Sequence, residues 1–469
     1  MDIYLNPSFL QEFTFQNSLV VIAWLFLRGG WIIFVIVFLW GIWHVRLIFL
    51  QRKYFLNRHW TLLAIDVPKD NEQTPKVVEQ LFSNLSGIHS NINFVEKYFQ
   101  GKTQDYFSLE IVSLGGYIQF LIRTVASYRD LVEAAVYAQY PEAEIVEIGD
   151  YTEDAPIDFP NEEYELWGTE LVLFNKDAYP IRTYPEFEEK LTQEFKDPIS
   201  ALLEIMSKIQ KGEQIWLQLI IVPTGSDWKK KSDEIVNKMM GVKEKPKNGI
   251  VDKILDVPLK ILEMAGEAVW PTGFGGKEVK LSKEEMMPLM RLSPGEKNVL
   301  EAVQRKASKI GFKVKFRMIY LGRHEVFSKA RGVSAVIGAI SQFNTLDMNG
   351  FKPGSHTKTK IDYFFVKRRV AARQRRIIGA YKERNPIRGE SSYILNIEEL
   401  ATLFHFPMME IKVPLVKKTE AKRGRAPVGL PVEELAEEKR GYIRPEVMRG
   451  KKTELPIGLP AEEEEWLEE

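Results

Sequence analysis

The chain reads as an α+β protein hung from a single membrane helix and followed by a disordered tail. Three observations predict this. One apolar run near the N-terminus is long enough to cross a bilayer. Between residues 59 and 411, strand and helix signals alternate in the order βαββαβ, and do so twice. Beyond residue 412, prolines, lysines and glutamates dominate and apolar periodicity is lost.

The membrane segment lies within residues 1–58. Between Leu19 and Leu50 the sequence is LVVIAWLFLRGGWIIFVIVFLWGIWHVRLIFL. Trp31, Ile32, Phe34, Val35, Val37, Phe38, Leu39, Trp40 and Trp43 belong to a stretch without charge, and a crossing centred on residues 30–50 is expected. Arg28-Gly29-Gly30 divides it from the shorter run Leu19–Leu27, which either extends the helix or lies at the interface. Arg46, Arg52, Lys53 and Arg58 follow the segment, while Asp2 and Glu12 precede it. The positive-inside rule then predicts one pass through the cytoplasmic membrane, with the N-terminus outside and the body in the cytoplasm.

The first repeat spans 59–150. Trp60–Val67 has strand character, and Thr74-Pro75 opens a helix with Val78, Leu81, Phe82 and Leu85 on one face. Tyr106–Ser113 and Tyr117–Thr124 flank Gly115-Gly116 as a hairpin. A second helix, Ser127–Tyr140, and a strand, Ala143–Ile148, complete βαββαβ, the ferredoxin-like order.

The second repeat spans 151–411. Its expected strands are Glu170–Phe174, Gln214–Val222, Phe312–Leu321 and Lys360–Val366, with helices from Asp197 to Gln210 and from Glu325 to Phe343. Phe312, Val314, Phe316, Met318 and Tyr320 should share one face. A helical insertion occupies about 223–311; it includes amphipathic Ile250–Val269 and a capping box at Ser293-Pro294-Gly295-Glu296. The tail, 412–469, repeats a Gly-Leu-Pro element at Gly429 and Gly458, the spacing of short docking sites or of a tail with no partner.

Composition excludes several chemistries. With no cysteine, disulfides, thiolate metal sites and a cysteine nucleophile are ruled out. Lysine plus arginine equals aspartate plus glutamate at 64 each, so the chain lacks the basic excess of a general nucleic-acid binder. Gly273-Phe274-Gly275-Gly276-Lys277 fails as a phosphate loop, because Pro271 and Glu278 stand where glycine and a hydroxyl residue are needed. The six histidines show no metal-ligand spacing. No catalytic residue, metal ligand or cofactor is predicted.

One charged cluster stands out. Lys367, Arg368, Arg369, Arg373, Arg375 and Arg376, continued by Lys382 and Arg384, form a basic helix at about 367–384. It is either a solvated face or a phosphate contact, toward nucleic acid or anionic lipid. Only Tyr381 interleaves it, so base stacking is not suggested.

The string Ser391-Ser392-Tyr393-Ile394-Leu395-Asn396-Ile397-Glu398-Glu399-Leu400-Ala401-Thr402-Leu403-Phe404-His405-Phe406-Pro407 resembles the segment before the motor domain of bacterial TraG/HerA-like type IV secretion and conjugation ATPases. Ile122-Arg123-Thr124 leading into Glu133–Pro141, together with Tyr179–Tyr184 and Gly212–Trp216, resemble an uncharacterised bacterial membrane-protein family associated with such ATPases. No Walker A motor follows Pro407 here, so the resemblance implies the membrane-proximal module alone. It implies a non-enzymatic scaffold or adaptor whose partner is a separately encoded secretion-type ATPase. A membrane-tethered nucleic-acid-binding module in DNA transfer is the other expectation. The oligomeric state is left open. The residues of the string also fit a short amphipathic helix, with Leu400, Leu403, Phe404 and Phe406 as its core face.

Overall fold

The structure is a computed structural model; it describes residues 26–68, 71, 73–187, 197–240 and 292–408. The expectations for residues 19–25, 250–269, 273–277 and 412–469 lie outside the described residues. Those described belong to one compact unit, Met1–Arg423.

Helix α1, Trp31–Leu56, is apolar on all sides from Trp31 to Trp43 and carries Arg46, Arg52 and Lys53 toward its C-terminal end. Within it, Phe34–Leu56 is long and apolar enough to cross a membrane, with none of the window buried in the protein. At 23 residues it would reach about 35 Å. A helix with no polar face suits a lipid surround better than water. Where Arg28-Gly29-Gly30 divides the two apolar runs, Phe26–Gly30 forms a wide turn in which Gly29 leaves helical geometry at φ 112.

The body that follows is one sheet. Its strands are β1 (Trp60–Asp66), β2 (Phe107–Leu114), β3 (Tyr117–Val125), β4 (Glu144–Glu147), β5 (Tyr164–Leu173), β6 (Glu213–Pro223), β7 (Gly311–Arg323), β8 (Phe351–Pro353) and β9 (Tyr393–Asn396). They run in the order β4-β1-β3-β2-β6-β7-β5-β8, with β9 paired to β7 beside this path. Every pairing is antiparallel. The seam between the two halves is β2 against β6, in register from Phe107↔Ile221 to Leu114↔Gln214. Gly115 and Gly116, at φ 60 and 95, make the tight β2–β3 turn in a region that other residues rarely enter.

One face of the sheet is covered by α2 (Pro75–Leu85), α3 (Arg129–Tyr137), α4 (Ser200–Ser207), α7 (Ala335–Ile340) and α9 (Ile397–Leu403). Phe312, Val314, Phe316, Met318 and Tyr320 all point into this layer, as their alternation predicts. The other face carries a smaller core, in which Ile377, Ile378 and Tyr381 of α8 (Val366–Lys382) pack on Trp216, Ile319 and Leu321. Two insertion helices, α5 (Lys229–Met239) and α6 (Pro294–Ser308), meet through Val236, Leu300 and Val303. The capping box opens α6 as expected: Ser293 Oγ accepts from Glu296 N, and the Glu296 carboxylate accepts from Ser293 N at 2.8 Å.

Several elements differ from the sequence pattern. Lys360–Val366 is not a strand. The free edge of β5 is taken by β8 instead, because Asn344 holds Phe351 through two side-chain bonds and turns the chain directly into that edge. Tyr363, Phe364 and Phe365 are exposed, and the last two have left-handed backbones. The helix expected from Glu325 begins at Ala330, because Phe327 stacks on Tyr320 at 4.7 Å. Thr74 sits at the N-cap of α2 in extended geometry, but its side chain makes no cap bond.

Candidate functional site

A polar row crosses the α8 face of the sheet. Glu110, Gln218, Arg317 and Glu170 are direct cross-strand neighbours on β2, β6, β7 and β5. Each is buried. Gln218 Nε2 donates to Glu110 Oε1 at 3.1 Å, and Arg317 NH1 donates to Gln218 Oε1 at 3.2 Å. Arg317 Nε donates to Glu170 Oε1 at 2.8 Å. A buried polar group is tolerated when its bonds are complete, and here the row supplies most of them internally.

The row also fastens α8. The last carbonyls of a helix lack partners within it. Arg317 donates to Ala380 O at 3.0 Å and Gln218 to Tyr381 O at 3.2 Å, so sheet side chains fill that role. Arg384, with a left-handed backbone at φ 48, donates from Nε to Glu110 Oε1 at 3.0 Å and from NH2 to Asp150 Oδ1 at 2.9 Å. Burial pushes the Glu110 carboxyl up, but the Arg384 guanidinium and bonds from Ser108 and Tyr151 outweigh it and hold the group below its usual range. Lys315 donates to Arg388 O at 2.6 Å and lies 3.6 Å from Glu170. Burial lowers its ammonium to about 8; the Glu170 charge opposes this and Arg317 adds to it.

Held this way, α8 and the turn after it border a cleft of about 640 Å³, lined by Glu170, His356, Thr357, Arg373, Arg375, Arg376, Ile377, Ala380, Arg388 and Gly389. That size suits a small ligand or an inserted side-chain cluster. Glu170 is buried at its base and already bound to Arg317, so the accessible charge is cationic. Gly389 sits against the Glu170 carboxylate at φ 102, an approach that a side chain would block.

The basic cluster therefore divides. Arg384 is structural. Lys382 donates to Ala155 O, and Arg373 donates to Lys358 O at 2.7 Å. Arg369 donates to Tyr363 O at 2.8 Å. Arg375 has one exposed contact, 3.6 Å from Asp158. The side chains of Lys367, Arg368 and Arg376 make no ion pair or hydrogen bond among the described residues. His356, Thr357 and Arg388 also border the cleft, and periodicity gives no signal for them. The exposed Tyr363, Phe364 and Phe365 immediately precede α8, so aromatic surface adjoins the cluster although only Tyr381 interleaves it.

The Glu398–Pro407 string is a clasp on the opposite face. Asn396 and Glu399 form a reciprocal capping box for α9. Glu399 pairs with Lys306 at 3.0 Å with both side chains fully buried; burial raises its carboxyl, with Lys306 opposing. Glu398 accepts from Thr183 Oγ1 at 2.6 Å and pairs with Lys309 at 2.6 Å. Thr402 Oγ1 accepts from Tyr184 N at 2.9 Å. Leu400, Ala401, Leu403 and Phe404 are buried in the main core. His405 is fully buried and held at both ring nitrogens: Nδ1 lies 2.8 Å from Ala401 O and Nε2 lies 2.8 Å from Asp197 Oδ1. Burial raises the Asp197 carboxyl, but His405 and the backbone amides of Ile199 and Met408 bring it below its usual value. Pro407 O accepts from Asn71 Nδ2 at 3.1 Å. Every charged group of the string is thus committed to packing.

Among the described residues no group of three or more histidine, aspartate or glutamate side chains is placed to hold a metal ion. The anchor side chains Trp31, Ile32, Phe34, Val35, Val37, Phe38, Leu39, Trp40 and Trp43 are all exposed along α1. No curated protein is significantly similar to the chain. The family described as "Domain of unknown function (DUF8128)" matches residues 56–419, more than three quarters of the 469. The match takes in the whole sheet, the clasp and the arginine-lined cleft, and the chain belongs to the DUF8128 family.

Proposed function

We propose that this protein is a non-enzymatic, single-pass membrane scaffold whose cytoplasmic body receives an acidic partner in the arginine-lined cleft. The carrying observation is the division of charge. Ionic groups of the clasp and of the polar row are spent on buried pairs, while at the open cleft Arg376 has no ion partner among the described residues and Arg375 and Arg388 meet only solvent-exposed carboxylates, Asp158 at 3.6 Å and Glu383 at 2.9 Å. The partner in this reading is a protein surface of a separately encoded secretion-type ATPase, for which the likeness at Ser391–Pro407 is the support. The basic residues Arg46, Arg52, Lys53 and Arg58 after the apolar helix support a cytoplasmic body.

The sheet belongs to this reading too. The order β4-β1-β3-β2 is that of a ferredoxin-like unit, and β8-β5-β7-β6 repeats it. We read the body as two such units joined edge to edge through β2 and β6, which removes two exposed edges that would otherwise invite other strands.

The test is purification of the full chain from native membranes at low salt, beside a variant with Arg375, Arg376 and Arg388 changed to glutamine. The reading predicts a co-purifying ATPase that the variant loses. Equal recovery from both, or recovery of none under conditions that preserve membrane complexes, overturns it.

The exposed Tyr363-Phe364-Phe365 turn beside Lys367 and Arg368 favours a second reading, single-stranded nucleic acid stacked on aromatics and held by phosphates. Salt-dependent binding of a labelled oligonucleotide, lost on changing Phe364 and Phe365 to serine, would put this reading first.

A further inference from the structure

Beyond the cleft, residues 93–102 form a hook beside the apolar helix. Asn93 and Glu96 cap each other's backbone, at 3.0 and 2.9 Å, and open the turn Glu96–Gln100. Gly101 closes it in the left-handed region at φ 71, and Lys102 neutralises Glu96 at 2.8 Å. The hook is fastened along α1. Arg46 donates to Tyr98 O at 3.2 Å, and the Trp43 ring meets both Tyr98 and Phe99 with centroids 6.3 Å apart. A side chain on Gly101 would come within 2.6 Å of the Leu50 carbonyl oxygen, so the hook lies directly on the helix backbone.

Its outer surface is apolar. Phe94, Val95 and Phe99 are 64%, 56% and 52% exposed. A small exposed patch alone carries no meaning. Here its position gives it one. Trp31–Val45 carries no Asp, Glu, Lys or Arg and is about 22 Å long, and Arg46 is the first such residue after it. The hook touches α1 from Trp43 to Leu50, where the apolar helix passes into its basic flank. Lipid that surrounds Trp43 must therefore also meet Phe99, which packs on its ring.

We propose that this hook is a second membrane contact, with Phe94, Val95 and Phe99 in the boundary between headgroups and acyl chains and Lys97 toward anionic headgroups. Aromatic and aliphatic side chains flanked by lysine suit that boundary. The contact braces the body against the membrane at a point remote in sequence from the helix. The inference rests on α1 crossing the membrane.

The absence of native cysteine allows a direct test in the full chain. Leu39→Cys, Val95→Cys and Glu142→Cys each receive an environment-sensitive fluorophore. The proteins are placed in vesicles of phosphatidylcholine and phosphatidylglycerol, with nitroxide-bearing lipids as quenchers. The proposal expects blue-shifted, quenched emission at positions 39 and 95, deep nitroxides acting best at 39 and shallow ones at 95, with aqueous emission at 142. Adding Gly101→Val should return the position 95 probe to aqueous emission while position 39 stays quenched. A lipid-shielded position 39 with an aqueous position 95 overturns the hook alone. Aqueous emission at position 39 overturns the crossing, and the hook with it.

Discussion

Arg384 Nε donates to Glu110 Oε1 at 3.0 Å with both side chains fully buried, tying the residue just beyond α8 to the strand at the seam of the sheet. Removing one partner of such a pair leaves an uncompensated charge and typically costs about 3–5 kcal/mol. Arg384→Met should lower stability by about that amount, softened at Asp150, whose part-exposed carboxylate would lose both bonds from Arg384 but keep those from Thr152 N and Oγ1. The double change with Glu110→Leu should cost less than the two single changes summed. Urea unfolding of the detergent-solubilised protein measures all three.

Acid should weaken the same pair. The Glu110 carboxyl is held below its ordinary value of 4.5, so the unfolded chain takes up its proton first as pH falls. Its contribution is present above about pH 4.5 and is lost as pH drops through the lowered folded value. Wild type should therefore lose stability more steeply than Glu110→Gln between about pH 5 and pH 3. Parallel curves would show that the pairing adds nothing specific.

His405 offers a contrast between structure and recognition. Its ring joins α9 to Asp197, so His405→Ala should cost about 2–4 kcal/mol by stranding a buried carboxylate. Binding at the cleft should be unchanged, since the ring lies in the other layer. Thermal unfolding paired with a binding assay separates the two effects.

The cleft arginines should behave in the opposite way. Arg375 and Arg388 are more than half exposed in their side chains, so glutamine at 375, 376 and 388 should shift stability by no more than about 0.5 kcal/mol. Affinity for a labelled polyglutamate peptide should fall at least about tenfold and lose its salt dependence. Fluorescence anisotropy across a salt series reads both.

Much of this architecture was legible in the chain. The charge-free run Trp31–Val45, the Gly115-Gly116 turn, the Ser293–Glu296 box and the alternation from Phe312 to Tyr320 each state their structure locally. The edge strand was misplaced because Ile361–Val366 has strand composition, whereas β8 is set by Asn344, whose bonds form only in the turn. The polar row of Glu110, Gln218, Arg317 and Glu170 was not legible in the chain, because other polar residues share these strands and only strand register lines the four up. The basic cluster looked uniform because a helix pattern does not reveal what covers each turn. Arg384 is an internal brace and Arg376 borders the open cleft, although both share one run of sequence.

Site-specific photocrosslinking in living cells asks what occupies the arginine-lined cleft. With a photoreactive residue in place of Arg376 in the full-length protein, an adduct with an acidic surface of a secretion-type ATPase is expected. The adduct should disappear when Arg375 and Arg388 are also changed to glutamine. An adduct with nucleic acid alone, or none when the same residue placed at Phe94 crosslinks normally to lipid, would contradict the proposed function.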